Sequence, residues 1–84
     1  MMNFRVYVML EAPIIDKKYE LFVPIDRRIH DLIGLLKENI PELKENYYQN
    51  RIPSLFNKSS GELYDMNQII KDSNIKTGTR LLLI

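Results

Sequence analysis

The 84-residue sequence contains no cysteine and only one histidine, His30. The lack of cysteine removes disulfide staples, which small secreted domains usually need, and so points to a reducing compartment. It also removes thiol chemistry. With His30 alone, a nucleophile–base pair has a single candidate base, and Cys/His metal-ligand spacings cannot be built. The three glycines, Gly34, Gly61 and Gly78, stand far apart, so no phosphate-cradling loop is present. No apolar run approaches the roughly 20 residues needed to span a bilayer. The opening Met1-Met2-Asn3-Phe4-Arg5 and the short run 6–10 do not make a signal peptide. These features lead to the expectation of a cytoplasmic protein without membrane insertion.

The net charge is only +1, which gives no reason to invoke a nucleic acid or an anionic membrane as partner. Lys17-Lys18 and Arg27-Arg28 are the basic doublets, and both read as solvated loop charge. The content of 45% hydrophobic and 27% charged residues is that of a folded globular chain rather than a disordered one. The length allows one domain, residues 1–84, with no linker and no internal repeat.

The pattern along the chain changes period twice. Phe4, Val6, Val8 and Leu10 alternate with Arg5, Tyr7, Met9 and Glu11, which predicts a half-buried strand. Residues 12–18, with Pro13 and a charged cluster, predict a hairpin loop. Tyr19, Leu21, Val23 and Ile25 resume the alternation, with Glu20 and Phe22 opposite and Pro24 at the end. Then Ile29, Leu32, Ile33, Leu36 and Ile40 follow helical spacing and define one apolar stripe. Pro41 predicts the end of this helix at Asn39 or Ile40. Gly34 inside it suggests close backbone approach to the sheet.

Residues 42–50 read as a polar connection with room for a short helical turn. A third strand is expected over 52–56, a turn over 57–61 and a short fourth strand over 62–65. Ile69 and Ile70 anchor another short helical turn, and Ile75 returns to the core. A turn over 76–79 leads into the apolar strand 80–84. So apolar a strand fits the middle of a sheet, beside the first strand. The expected fold class is α+β: a mixed sheet of about five strands with one main helix packed across it, the β-grasp arrangement.

The stretch Ile70-Lys71-Asp72-Ser73-Asn74-Ile75-Lys76-Thr77-Gly78-Thr79-Arg80-Leu81-Leu82-Leu83 resembles the closing pattern of ubiquitin-like domains. A narrower resemblance is to the YukD/EsaB family of small bacterial ubiquitin-like proteins encoded with type VII secretion systems. It rests on Tyr19-Glu20-Leu21-Phe22-Val23-Pro24 followed by Ile29-His30-Asp31-Leu32-Ile33. The resemblance implies a non-catalytic cytoplasmic accessory that binds a protein of the secretion machinery. Conjugated ubiquitin-like modifiers and sulfur carriers of this fold use a flexible Gly-Gly tail. This sequence ends at Ile84 without one, and the expectation is that it is not conjugated. A modifier or sulfur-carrier relative, a small regulator of an enzyme, and a nucleic-acid-binding module on the same fold are the rival readings.

No catalytic residue, cofactor site or metal site is expected. His30 and Asp31 are neighbours in sequence but project at different helical azimuths, and His30 reads as a solvated helix residue. Glu42 and Glu45 read as solvated charges. Asn57-Lys58-Ser59 fits the glycosylation pattern, and without a secretory signal it reads as coincidence. Function is therefore sought on surfaces. If Leu81 and Leu83 face the core, Leu82 and Ile84 face the open side of the sheet, where Phe56 can join them. The alternative places Phe56 in the core and leaves Ile84 frayed. Tyr47 and Tyr48 form a second candidate protein-binding region.

Overall fold

The computed structural model describes residues 5–46 and 52–84. Strand β1, Arg5–Ala12, turns through a single 3-10 turn, Pro13–Ile15, into β2, Lys17–Pro24. The turn is tighter than the seven-residue loop expected. Asp16 closes it with φ 53°, a left-handed conformation that aspartate tolerates better than most residues. The two strands pair antiparallel along their full length, from Arg5 opposite Pro24 to Ala12 opposite Lys17.

Helix α1, Ile29–Asn39, follows the predicted stripe, and Ile29, Leu32, Ile33, Leu36 and the following Ile40 are all buried. Arg28 precedes it without a side-chain cap. The first amide donors are satisfied by a distant loop instead: Ile29 N–H donates to the Gln68 carbonyl (2.9 Å) and His30 N–H to that of Met66 (3.0 Å). The helix ends where Pro41 begins α2, Pro41–Asn46, the expected short helical turn. Gly34 does not touch the sheet. It is exposed on α1, and a Cβ added there would meet no heavy atom of the described residues within 4 Å. The expectation of close approach fails because the apolar stripe turns the opposite side of the helix to the core.

The third strand is shorter than expected and shifted: β3 is Leu55–Asn57. The last strand, β4, is Arg80–Leu83. The sheet order is β2-β1-β4-β3, with β4 parallel to β1 and antiparallel to β3. The apolar last strand thus lies in the middle of the sheet, as its composition requires. Four strands form the sheet rather than about five. The segment 62–65 makes one isolated bridge, Phe56 opposite Leu63. It then departs because Tyr64 drives its ring into the core, where its hydroxyl donates to Asn74 Oδ1 (2.6 Å) and accepts from Asn57 Nδ2 (3.0 Å).

Val8, Leu10, Val23, Leu81 and Leu83 line the inner face of the sheet and pack with the α1 stripe, Leu43, Leu55, Ile70 and Ile75 in one cluster. Burying each large aliphatic side chain is worth about 1.5–3 kcal/mol. A 3-10 turn, Ile70–Asp72, fills the predicted place near the sheet edge. Gly78 enters β4 with φ 93° while its N–H donates to the Tyr7 carbonyl (2.8 Å). The turn therefore needs a residue free of the left-handed penalty. Among the described residues no helix is long and apolar enough to cross a membrane.

Candidate functional site: the open face of the sheet

One face of the sheet carries α1, and strand alternation assigns the other set of side chains to the open face. Strand register fixes their rows. Lys18, Glu11, Leu82, Phe56 and Leu63 form one row across the sheet. Glu20, Met9 and Arg80 form the next, and Phe22 and Tyr7 a third.

Phe56 and Leu82 are direct cross-strand partners, and both are half-buried. Phe56 is therefore not a core residue. Ile84 follows Leu82 on the same face and is 46% exposed. It is not frayed: its N–H donates to the Ser54 carbonyl (2.9 Å), and its carbonyl accepts from Ser54 N–H (2.8 Å). The three residues expected to converge do so. Tyr47 and Tyr48 lie outside the described residues.

Sequence reasoning missed three apolar members. Leu63, 59% exposed, extends the Phe56–Leu82 row by one strand spacing. Phe22, 65% exposed, stacks obliquely on Tyr7 with ring centroids 5.3 Å apart. Met9 is partly exposed between the two apolar groups. Their signal was present: Tyr7, Met9 and Phe22 all occupy the polar phase of strand alternation. The Leu63 contact depends on the turn at 57–61, whose geometry the sequence leaves open. There Asn57 Oδ1 accepts from Ser59 N–H (2.9 Å) and Ser60 N–H (3.1 Å), and Gly61 turns with φ 77°.

Charges divide the apolar groups. Lys58 Nζ donates to Glu11 Oε2, and Lys18 Nζ lies 4.0 Å from Glu11 Oε1. The Lys58 hydrogen bond holds the Glu11 carboxyl below the usual carboxylate range, with the charges of Lys58, Lys18 and Arg80 adding to it against partial desolvation. Glu20 accepts from the Tyr7 hydroxyl, which raises the Tyr7 phenol together with desolvation and the Glu20 charge. Such a face can exclude water at its apolar row and orient a partner through its charges.

His30 and Asp31, expected to diverge, touch: Nδ1 and Oδ1 are 3.0 Å apart. Side-chain rotation bridges the azimuthal step between neighbours on this exposed first turn. Among the described residues no group of three or more His, Cys, Asp or Glu side chains is placed to hold a metal ion.

No family model matches the chain, and no curated protein does. Solved structures do. One, described as molecular mimicry of SUMO that promotes DNA repair, superposes with TM-score 0.76 at 15% identity, over 100% of this chain and 95% of the other. The ubiquitin-like domain of the Arabidopsis thaliana protein At2g32350 superposes with TM-score 0.69 at 16% identity, over 98% of this chain and 78% of the other. A chain of the toluene 4-monooxygenase HD complex with 4-bromobenzoate superposes with TM-score 0.75 at 9% identity, over 94% and 95%. The chain has the ubiquitin-like, β-grasp fold.

Proposed function

We propose that this chain is a non-catalytic ubiquitin-like module that binds a protein partner through the open face of its sheet. The observation that carries the reading is the apolar row Leu63–Phe56–Leu82, joined by Ile84, on a face that no element of the described chain covers. At a strand spacing of about 4.8 Å, the row spans about 10 Å, enough for one or two anchoring side chains of a partner. Glu11, Lys18, Lys58 and Arg80 form its charged rim. One histidine and no cysteine favour binding over catalysis.

The finer proposal is a cytoplasmic accessory of a type VII secretion system. It is supported by the resemblance of residues 19–24 and 29–33 to the YukD/EsaB proteins. Affinity purification of the tagged protein from its native cells tests it. Recovery of type VII membrane components or their substrates, lost with Leu82→Asp, is the expected result. Their absence removes the secretion assignment. Binding that survives Leu82→Asp in a folded protein removes the surface assignment.

A second reading, a small regulator of an enzyme, is favoured by the likeness to a chain in a monooxygenase complex. Copurification of a soluble enzyme whose turnover changes when this protein is added would select it over the secretion role.

A further inference from the structure

The two edges of the sheet differ. β3 is three residues long, and the bridge from Phe56 to Leu63 covers part of it. β2 is eight residues long and pairs with β1 alone among the described residues. Which of its backbone groups are open follows from β1. Met9 N–H donates to the Thr79 carbonyl and the Tyr7 carbonyl accepts from Gly78 N–H, so Tyr7 and Met9 turn their peptide groups toward β4. Val6, Val8 and Leu10 therefore turn theirs toward β2, where they meet Val23, Leu21 and Tyr19. Lys18, Glu20 and Phe22 are left with N–H and C=O directed off the sheet, and Pro24 with its carbonyl. No backbone group of the described residues outside β1 bonds to any of them. An open row of this length is a template for another strand. Lys17, Lys18 and Pro24 guard its ends, but its middle carries Leu21 and Phe22, the latter 65% exposed.

We propose that β2 pairs with the β2 of a second copy of this chain, antiparallel about a two-fold axis at Leu21, joining two sheets into one. The strand is its own complement in that register. Edge-facing residues must meet edge-facing residues, so few two-fold registers exist. Centring on Lys18 or Glu20 sets like charges directly opposite. Centring on Tyr19 brings Phe22 to Asp16, which φ 53° takes out of the strand. Centring on Phe22 sets Glu20 against Pro24 and leaves Lys18 beyond the partner strand. Centring on Leu21 sets Glu20 against Phe22 and Lys18 against Pro24. Each Glu20–Phe22 pair exchanges two bonds and each Lys18–Pro24 pair makes one, about six in all. Pro24 then sits at the end of the ladder, accepting from Lys18 N–H, where its missing donor costs least. On the helix side Leu21 meets Leu21 and Tyr19 meets Val23, beside the groove between β2 and α1 that Leu32, Leu35 and Leu36 line. On the open face the two Phe22 rings lie on one diagonal, within aromatic reach. The two Glu20 carboxylates lie on the other, about 7–8 Å apart, each held by its own Tyr7 hydroxyl. The Leu63–Phe56–Leu82 row is at the opposite end of the sheet, so each copy keeps it free.

Sedimentation of the full chain over a rising concentration series tests the pairing. The apparent mass should rise from one chain toward two by millimolar concentration, and a chain that stays monomeric there overturns the proposal. Glu20→Pro removes a donor that the monomer leaves unused. It should leave the dilute chain folded while association falls about tenfold or more, since the axis removes the donor from both copies. Leu21→Cys tests the register. Across the axis it forms a non-hydrogen-bonded pair with Cα atoms about 4.5 Å apart, within disulfide reach, and the chain has no other cysteine to compete. Mild oxidation should convert it to a covalent dimer, while Lys17→Cys, far from the axis, should stay a single chain. Equal linking of the two variants, or none by Leu21→Cys, overturns the register and with it the proposal. The cysteine pair decides alone if Glu20→Pro does not fold. Leu82→Asp should leave association intact. Association lost with Leu82→Asp and kept in folded Glu20→Pro would move the contact to the open face and overturn the edge pairing.

Discussion

Outside the apolar stripe, Tyr64 links the core to a surface turn. Its ring is buried, and its hydroxyl joins Asn74 and Asn57, which in turn anchors the turn at 57–61. Desolvation is the main reason its phenol lies above the usual range. Tyr64→Phe keeps the ring but leaves half-buried Asn57 and exposed Asn74 each short of a bond. We expect a loss of about 1 kcal/mol in chemical denaturation, with the fold retained. Gly78→Ala acts differently, through backbone strain at φ 93°, and should cost about 1–2 kcal/mol. Denaturant midpoints of the two variants measured side by side test both. At this scale the sequence was partly readable. Alternation placed Leu82 and Ile84 correctly, because period two admits one answer once Leu81 is inside. It could not place Leu63, whose contact depends on how residues 57–61 turn.

At the scale of elements, β1, β2, α1 and β4 were legible because each carries a sustained period or a continuous apolar run. The central place of β4 beside β1 followed from β4 being too apolar for an edge. The fourth strand was overread. Residues 62–65 alternate too briefly to compete with the burial of Tyr64, and one bridge is all that remains. Helix α1 was legible in its stop and in its stripe, whose first residue, Ile29, is also the helix start. No N-cap side chain marks it, since Met66 and Gln68 supply the acceptors from the far side of the chain. Arg28 reinforces this junction, its Nη1 donating to the Asn67 carbonyl (2.6 Å). Arg28→Ala should therefore loosen the first turn of α1, at a cost of about 1 kcal/mol. Hydrogen exchange at Ile29 and His30 should accelerate well before that at Leu36. Uniform exchange along α1 in the variant would show that the junction does not hold the helix start.

The whole molecule carries opposing pH limits. Glu11 has a depressed folded pKa, so its contribution is present above the ordinary carboxylate range and is lost as pH falls through the folded value. Glu11→Gln should flatten the acid limb of the stability curve. Tyr7, Tyr19 and Tyr64 have raised phenol pKa values, from a hydrogen bond to Glu20 in the first and chiefly from desolvation in the other two. Their contribution is full below pH about 10, the ordinary phenol value, and declines as pH rises through the folded values. Thermal melts from pH 3 to pH 11 check both limbs, and a stability that stays flat above pH about 10 would contradict the tyrosine assignment.

The parallel pairing of β1 with β4 has a mechanical consequence. Met9 lies beside Arg80, and the bonds Met9 N–H to Thr79 carbonyl and Gly78 N–H to Tyr7 carbonyl tie the strands together. Because the strands run the same way, a pull on the start of β1 and the end of β4 drags them past each other. The load then falls on all these bonds together rather than opening them one by one. Stretched between those two points, the molecule should resist like a clamp and yield in one step. Pulled instead across the β1–β2 hairpin, where paired residues separate in sequence, it should unzip at a far lower force.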